Sequence, residues 1–248
     1  MFQIKICGIT SAEDALLAAE AGAEAIGLNF YEQSPRYVTA QQAERIVEEL
    51  RGTYSADEIA VYGVFVNASA DDILGVIRDA NLDGTDRGLG IQLHGDEPPE
   101  LIHDLRSHGL GTSGDHFQAL GHAPTIPITR AFRCRDANLA QHAAFLAKCQ
   151  ELDALPQAVL LDAYAPGAYG GTGQVVDWNA VREGRDQLLG LPLILAGGLT
   201  PDNVADAIAT AKPDAVDVAS GVESAPGRKD YAKTMAFVAA ARKAFAGA

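Results

Sequence analysis

The feature that most constrains the fold of this chain is an eightfold alternation of short apolar runs with longer segments of helical periodicity. The runs are rich in Val, Ile and Leu, and their successive residues are apolar rather than alternately apolar and polar. This pattern is typical of parallel strands that are buried on both faces. The predicted strands are residues 4–7, 25–30, 59–66, 89–94, 126–132, 158–162, 193–196 and 215–219.

Helix-start signals lie in several of the segments between these strands. Thr10 and Glu13 have the spacing of a capping box, and Thr39 is a second candidate N-cap. Thr200 followed by Pro201 predicts a third helix start, because proline is favoured at the first helical position. The segments between the strands are therefore predicted to be helices.

The alternation predicts an α/β fold, a single (β/α)₈ TIM barrel that forms one domain over residues 1–248. Such a barrel typically has about 250 residues, and no Pro-, Gly- or Ser-rich linker divides this chain. A doubly wound open sheet is the structural alternative, and length alone also allows two smaller domains. Residues 106–125, which are rich in Gly and His, are predicted to form an extended loop between the fourth helix and the fifth strand.

The net charge of −14 bears on the partners of the chain. Nucleic-acid binding depends on clustered Lys and Arg, so we expect no nucleic-acid partner. A small phosphorylated ligand is compatible with this charge, because backbone N–H groups and helix N-termini hold phosphate without cationic side chains. No apolar run approaches the roughly 18 residues of a membrane-spanning helix, so we expect no membrane association.

The chain has three cysteines, Cys7, Cys134 and Cys149. Their odd number and the lack of a CxxC pair argue against a disulfide framework, and none has a metal-site spacing to the six histidines. The first residues lack the regions of a signal peptide. We therefore expect a cytoplasmic protein without a metal site. The sequence leaves monomer and homodimer open.

Two candidate acid–base groups follow from the rule that a barrel builds its active site at the C-terminal ends of its strands. Cys7 ends the first strand, and Gly8 beside it leaves room for a ligand, so the Cys7 thiolate is a candidate base. Asp162 ends an otherwise apolar strand, where a partly buried carboxyl group suits a general acid. The alternatives are a buried structural cysteine and an aspartate that caps a helix or bonds a loop.

A phosphate site is predicted after the seventh and eighth strands, where many barrels bind phosphate. Gly197 and Gly198 follow the seventh strand, and Ser220 and Gly221 follow the eighth and begin a predicted short helix. Backbone N–H groups can approach an anion closely where no Cβ intervenes. Residues 171–173 (GTG) are predicted to add a third wall. The alternative is that these glycines only form tight turns.

Three further polar residues lie at predicted strand ends or in the loops beyond them. Arg36 follows a proline after the second strand, and its guanidinium fork can hold a carboxylate in two parallel bonds. His94 ends the fourth strand, and Asp217 lies in the eighth. We predict that all three contact the ligand. A solvated surface arginine and a structural histidine are the alternatives.

Taken in order, these motifs resemble those of the phosphoribosylanthranilate isomerase family of tryptophan biosynthesis. They are residues 5–10 (KICGIT), 34–36 (SPR), 92–95 (QLHG), 161–163 (LDA) with 170–173 (GGTG), 196–199 (AGGL), and 216–218 (VDV) with 220–223 (SGVE). Each motif is weak alone, and their shared order makes the resemblance specific. Val176 stands where the family usually has Phe, Ala219 where serine is common, and the 106–125 loop is longer than usual.

The resemblance implies an Amadori rearrangement of N-(5-phosphoribosyl)anthranilate. Asp162 would protonate the furanose ring oxygen, and Cys7 would remove the proton from C2 of the sugar. Arg36 would hold the anthranilate carboxylate, and Asp217 would orient a hydroxyl or amine of the substrate. No metal or organic cofactor is implied, because the imine formed on ring opening is itself the electron sink.

Two other functions stay open at this point. One is a different sugar-phosphate isomerase or a synthase on the same barrel, such as an indole-glycerol-phosphate synthase. That synthase would need catalytic lysine and glutamate at strand ends, whereas Lys5 is the only lysine in the eight predicted strands. The other is a non-catalytic barrel that binds a phosphosugar.

Overall fold

The computed structural model describes residues 1–83, 88–107, 126–134, 139–163 and 177–247. Eight parallel strands form a closed barrel in chain order. They are β1 (Ile4–Cys7), β2 (Ala25–Asn29), β3 (Ala60–Phe65), β4 (Leu89–Leu93), β5 (Ile128–Cys134), β6 (Ala158–Ala163), β7 (Leu193–Leu195) and β8 (Ala215–Val218). The helices are α1 (Ala12–Ala21), α2 (Ala40–Arg51), α3 (Ala70–Asp79), α4 (Pro99–Ser107), α5 (Ala140–Glu151), α6 (Trp178–Glu183), α7 (Val204–Ala211) and α8 (Tyr231–Ala246).

Closure of the barrel decides between the two predicted architectures. Strand β1 pairs with β2 on one side and with β8 on the other, where Lys5 is in register with Asp217. The predicted (β/α)₈ barrel is therefore confirmed, and the open sheet is wrong. Strand β5 begins two residues later than predicted, after Pro127, which has no N–H to donate to a ladder.

The helix starts were predicted with mixed success. Thr39 caps α2 as predicted, in a capping box with Gln42. The predicted cap at Thr10 is wrong, because Ser11 accepts the hydrogen bond from the first turn of α1. The Thr10 hydroxyl instead donates to the carbonyl of Gly227 at 2.5 Å, which anchors a distant loop.

The predicted start at Thr200 is also wrong. Helix α7 begins only at Val204, and Asn203 precedes it. The Asn203 side chain accepts a hydrogen bond from the Thr200 N–H at 2.8 Å and donates to the Gly198 carbonyl at 3.0 Å. Residues 200–203 therefore form a turn that supports the loop after β7.

The barrel interior has an apolar half and a polar half, because alternate residues of each strand point inward. Phe2, Tyr62, Leu160 and Ile194 belong to the apolar cluster. The inward positions nearer the C-terminal strand ends carry polar groups instead. Lys5 on β1 contacts strand β4 across the barrel, so its side chain crosses the interior.

Two short 3₁₀ turns and a hairpin complete the described fold. The turns are Arg185–Leu188 and Ser220–Val222, and the hairpin is formed by β9 (Glu223–Ala225) and β10 (Arg228–Lys229). The predicted short helix after β8 is thus a single turn that ends at Val222.

Part of the predicted 106–125 loop is not a loop. Its first two residues belong to α4, and residues 108–125 lie outside the described part of the chain, as do residues 171–173 of the predicted third phosphate wall. Among the described residues, no helix has the length and apolar character needed to cross a membrane.

Candidate active site

One cavity opens at the C-terminal ends of the barrel strands, and the structure brings all of the predicted site residues to it. Its lining includes Cys7, Arg36, His94, Asp162, Gly197, Gly198, Asp217, Ser220 and Gly221. These residues come from β1, β6 and β8 and from the segments that follow β2, β4, β7 and β8. The spatial cluster is therefore a product of barrel closure rather than of nearness in sequence.

Cys7 is the last residue of β1 and is partly buried. Burial raises the pKa of its thiol, and the ammonium groups of Lys5 and Lys229 oppose that rise. A Cβ on residue 27 would lie 2.6 Å from the Cys7 sulfur and 3.1 Å from the Lys5 Nζ atom. Gly27 on β2 is therefore required for both side chains to fit, a requirement that the sequence alone did not reveal.

Asp162 lies one residue before the end of β6 and is buried. Its Oδ1 atom accepts a hydrogen bond from the Ala163 N–H at 2.8 Å. Its Oδ2 atom is 3.2 Å from the Nε2 atom of His94. The carboxyl group is thus hydrogen-bonded and lines the cavity, so the two readings of Asp162 from the sequence are compatible.

Lys5 contacts the residues that line the cavity, and it was not selected as a site residue from the sequence. Its side chain is fully buried, and its Nζ atom donates to Asp217 Oδ2 at 2.9 Å and to Gln92 Oε1 at 3.0 Å. Burial alone would lower the pKa of Lys5, and the negative charges of Asp217 and Cys7 outweigh it, so the pKa is raised. Lys5 and Cys7 are two residues apart on a strand, and this period could have indicated that both point inward.

Arg36 is buried, so the alternative of a solvated surface arginine is wrong. Its Nε and Nη2 atoms each donate to one carboxylate oxygen of Glu223 at 2.7 Å. The hydrogen bonds that Arg36 donates to Glu223 raise the pKa of Arg36 against the effect of burial. One edge of the guanidinium fork is therefore already occupied by the protein.

Glu223 and Lys229 hold Arg36 in place, and neither was selected as a site residue from the sequence. The Lys229 Nζ atom donates to Glu223 Oε1 at 2.9 Å and to the Cys7 carbonyl at 2.7 Å. Burial alone would raise the pKa of Glu223, and the bonds from Arg36 and Lys229 lower it below its ordinary value. The hairpin after β8 thus clamps the end of β1 and the Arg36 loop together.

The predicted phosphate loops have the close backbone packing that glycine permits. Gly197 and Gly198 have φ values of +82° and +65°, and a Cβ on Gly197 would lie 2.5 Å from the Ala163 nitrogen. A Cβ on Gly221 would overlap the carbonyl oxygen of Leu199. Within the described residues, the N–H groups of Gly197, Gly198 and Ser220 have no hydrogen-bond partner.

Asp217 lies inside β8 and is buried, with only one of its two oxygens engaged. Its Oδ2 atom binds Lys5, whereas its Oδ1 atom has no hydrogen-bond partner among the described residues. A buried carboxylate oxygen without a partner is costly unless a ligand satisfies it.

Across the described part of the chain, no group of three or more His, Cys, Asp and Glu side chains is arranged to hold a metal ion.

The sequence of this chain is similar to those of known enzymes that share one family. Residues 4–112 and 117–240 match the sequence profile of the family described as N-(5'phosphoribosyl)anthranilate (PRA) isomerase. An N-(5'-phosphoribosyl)anthranilate isomerase of Trichlorobacter lovleyi is 41% identical over 244 residues, which cover 98% of this chain and 100% of that one. An N-(5'-phosphoribosyl)anthranilate isomerase of Pseudomonas fluorescens is 43% identical over 241 residues, which cover 96% of this chain and 97% of that one.

Solved structures agree with the sequence comparisons. Phosphoribosyl anthranilate isomerase from Thermotoga maritima superposes with a TM-score of 0.75 at 32% identity, over 98% of this chain and 100% of that one. A phosphoribosyl anthranilate isomerase in complex with reduced 1-(o-carboxyphenylamino)-1-deoxyribulose 5-phosphate gives a TM-score of 0.72 at 32% identity, with the same coverage.

Proposed function

Because the chain belongs to the N-(5'-phosphoribosyl)anthranilate isomerase family, we propose that it converts N-(5-phosphoribosyl)anthranilate to 1-(2-carboxyphenylamino)-1-deoxyribulose 5-phosphate in tryptophan biosynthesis. The observation that carries this proposal is the presence of Cys7 and Asp162 in one cavity, together with backbone N–H groups after β7 and β8 that have no partner among the described residues. The proposal takes residues 1–248 as one barrel domain.

The reaction begins at the furanose ring oxygen. Asp162 gives it a proton, the bond between C1 and the ring oxygen breaks, and the nitrogen lone pair forms a protonated Schiff base at C1. The Cys7 thiolate then removes the proton from C2, and the electrons of that bond form a C1–C2 double bond while the imine nitrogen accepts a pair. The enolamine becomes the ketone when C1 gains a proton and the C2 hydroxyl loses one. The chemistry needs no cofactor, because the imine nitrogen is the electron sink.

Arg36 is proposed to bind the anthranilate carboxylate with the guanidinium N–H donors that do not bind Glu223. A guanidinium has five N–H donors, and Glu223 takes one from Nε and one from Nη2. The edge formed by Nη1 and Nη2 still offers two parallel donors, which is the arrangement that a carboxylate accepts. Glu223 therefore supports the proposed role of Arg36 by fixing the direction of that edge.

The remaining substrate contacts follow from groups that lack protein partners. The N–H groups of Gly197, Gly198 and Ser220, with Gly221 beside them, are proposed to bind the phosphate. The Oδ1 atom of Asp217 is proposed to accept a hydrogen bond from a hydroxyl or amine of the substrate. His94 lines the cavity, but both of its ring nitrogens point to protein groups.

Turnover of purified protein with freshly formed phosphoribosylanthranilate tests the proposal. We expect loss of the anthranilate-type fluorescence and a product of unchanged mass, and the gene should restore growth to a tryptophan auxotroph that lacks this step. A product of lower mass would indicate a synthase instead. Binding of the substrate without turnover would indicate the non-catalytic barrel.

Replacement of Asp162 separates the proposed acid from a merely structural aspartate. Asparagine can still accept the hydrogen bond from the Ala163 N–H, but it has no carboxyl proton to give. We expect Asp162→Asn to lower kcat by about 10²–10⁴-fold with the fold intact by circular dichroism. The exposed Asp186→Asn serves as the control and should keep full activity. Equal kcat values for the two variants would exclude Asp162 as the acid.

A further inference from the structure

Four polar side chains form a continuous hydrogen-bonded chain through the barrel interior. The Lys5 Nζ atom is 3.0 Å from Gln92 Oε1, and Gln92 Nε2 is 2.9 Å from His94 Nδ1. His94 Nε2 is in turn 3.2 Å from Asp162 Oδ2. All four side chains are buried. The chain connects the cation beside Cys7 to the proposed acid Asp162.

The direction of every bond in this chain is set by Lys5. An ammonium group has three donors and no acceptor, so the Gln92 atom that faces it is the amide oxygen. The Gln92 NH₂ group therefore faces His94 and donates to Nδ1. A ring nitrogen that accepts a hydrogen bond carries no proton, so the proton of a neutral His94 is on Nε2, where it faces Asp162.

We propose that Lys5 and Gln92 are positioning residues that keep His94 neutral, with its single proton on Nε2, so that it donates to Asp162 without becoming an imidazolium. A second proton on His94 would have to sit on Nδ1, directly against the N–H donor of Gln92. The amide cannot turn to accept that proton without losing its bond to the buried Lys5 ammonium.

The neutrality of His94 matters for the acid step, and in this respect the inference rests on the proposed function. An imidazolium 3.2 Å from the carboxyl group would stabilise the ionised form of Asp162. An ionised Asp162 cannot protonate the ring oxygen. A neutral His94 orients the carboxyl group by a hydrogen bond and leaves it able to carry a proton.

The other charged groups around His94 act in the same direction or are paired. Strand β1 contributes Lys5, whose positive charge also disfavours an imidazolium, and this charge is paired with Asp217 on β8. At the end of β5, Arg133 binds Asp96. The carboxylate that faces the His94 ring directly is Asp162 on β6, and it would favour an imidazolium if Gln92 did not block Nδ1.

The tautomer of His94 in the free protein is a direct test that needs no substrate. Imidazole ¹⁵N–¹H correlation spectra of the wild-type protein distinguish Nε2–H, Nδ1–H and imidazolium forms, and loss of one signal set in His94→Gln assigns it. We expect the neutral Nε2–H form. An Nδ1–H form or an imidazolium would overturn the proposal.

Replacement of Gln92 by glutamate keeps the shape of the side chain but reverses the direction of its hydrogen bond with His94 Nδ1. One carboxylate oxygen still accepts from Lys5, and the other now accepts from Nδ1 of His94. We expect His94 in Gln92→Glu to carry protons on both Nδ1 and Nε2, and kcat/KM to fall by at least about tenfold because this imidazolium favours the ionised form of Asp162. The exposed Gln150→Glu adds the same charge elsewhere and should change neither.

The outcomes separate this inference from the proposed function. An unchanged His94 tautomer in Gln92→Glu would overturn the inference even if the wild-type protein is an active isomerase. An imidazolium at His94 in Gln92→Glu with unchanged kcat/KM would overturn the positioning role. A wild-type protein that shows the Nε2–H form but has no turnover would refute the proposed function. It would also refute the catalytic role given to the hydrogen bonds that connect Lys5 to Asp162.

Discussion

At the scale of single residues, the proposed base Cys7 must lose its proton before it can act, and its surroundings oppose and assist that loss at once. Burial raises the pKa of the thiol, whereas the ammonium groups of Lys5 and Lys229 favour the thiolate. Gly27 leaves the space in which Lys5 and Cys7 lie together. The proposed base is thus partly desolvated and next to a fixed positive charge.

Replacement of Glu223 by glutamine tests how far the orientation of Arg36 depends on this carboxylate. In Glu223→Gln, one oxygen is replaced by an NH₂ group, which faces a cation that can only donate. We expect the KM for phosphoribosylanthranilate to rise about tenfold or more, the worth of one charge-assisted hydrogen bond, with a smaller change in kcat. The exposed Glu49→Gln is the matched control. An unchanged KM in Glu223→Gln would mean that Arg36 does not need this clamp.

Residue types at predicted strand ends were sufficient to select several of the groups that line the cavity. Cys7 was selected because it ends the first strand beside Gly8, and Asp162 because it ends an otherwise apolar strand. Glu223 was missed, because its partner Arg36 is 187 positions away and only the folded chain shows the pair. Lys5 was noted but not selected, because the sequence does not show that its side chain crosses the barrel to Gln92.

At the scale of elements, the loops after β7 and β8 are held by contacts that leave no room for a larger side chain. Gly221 packs against the carbonyl of Leu199, so the two loops touch through their backbones. Asn203 ties the first of them to the turn before α7. The capping signals at Thr10 and Thr200 failed for the same kind of reason, since each residue is used in a loop contact instead of a helix cap.

Gly221→Ala tests the proposed phosphate site. The added Cβ would overlap the Leu199 carbonyl and push the two loops apart. We expect the KM for the substrate to rise by about 10²-fold, since a displacement of about 1 Å can have that effect, and inorganic phosphate to become a weaker competitive inhibitor. Gly75→Ala in α3 has no heavy atom within 4 Å of its Cβ and is the control. Equal inhibition constants for both variants would contradict the assignment.

At the scale of the whole molecule, the parallel strands were predictable because they are buried on both faces and therefore appear as continuous apolar runs. Strand β6, with Val159, Leu160 and Leu161 in succession, is an example. The number of strands and the lack of a linker favoured one closed barrel over an open sheet. The exact strand ends were less predictable, because they depend on which backbone groups find a partner in the neighbouring strand. Strand β5 shows this, since it extends to Cys134 through its pairing with β6.

His142 links the stability of the barrel to pH. Burial, with a contribution from Arg130, lowers its pKa from 6.5 to about 4 in the folded protein. The unfolded chain therefore binds the proton more readily, and stability is lost as pH falls from 6.5 towards 4. We expect this residue alone to account for about 3 kcal/mol of that loss.

His142→Phe is the variant that isolates this effect. Phenylalanine can keep the stacking on Phe132, whose ring centroid is 4.2 Å away, but it takes up no proton. The free energy of unfolding, measured by urea denaturation at several pH values, should fall less steeply below pH 6.5 in the variant than in the wild type. The exposed His103→Gln should keep the wild-type slope. Parallel curves for His142→Phe and the wild type would contradict a buried neutral His142.

The most direct test of the whole account is the turnover of Cys7→Ala beside that of Cys149→Ala, with phosphoribosylanthranilate as substrate. Cys149 is buried in α5, away from the cavity, so its replacement controls for the loss of a buried thiol. We expect Cys7→Ala to lose about 10²–10⁴-fold in kcat while it keeps its fold, and Cys149→Ala to stay active. Full turnover by Cys7→Ala would contradict the account.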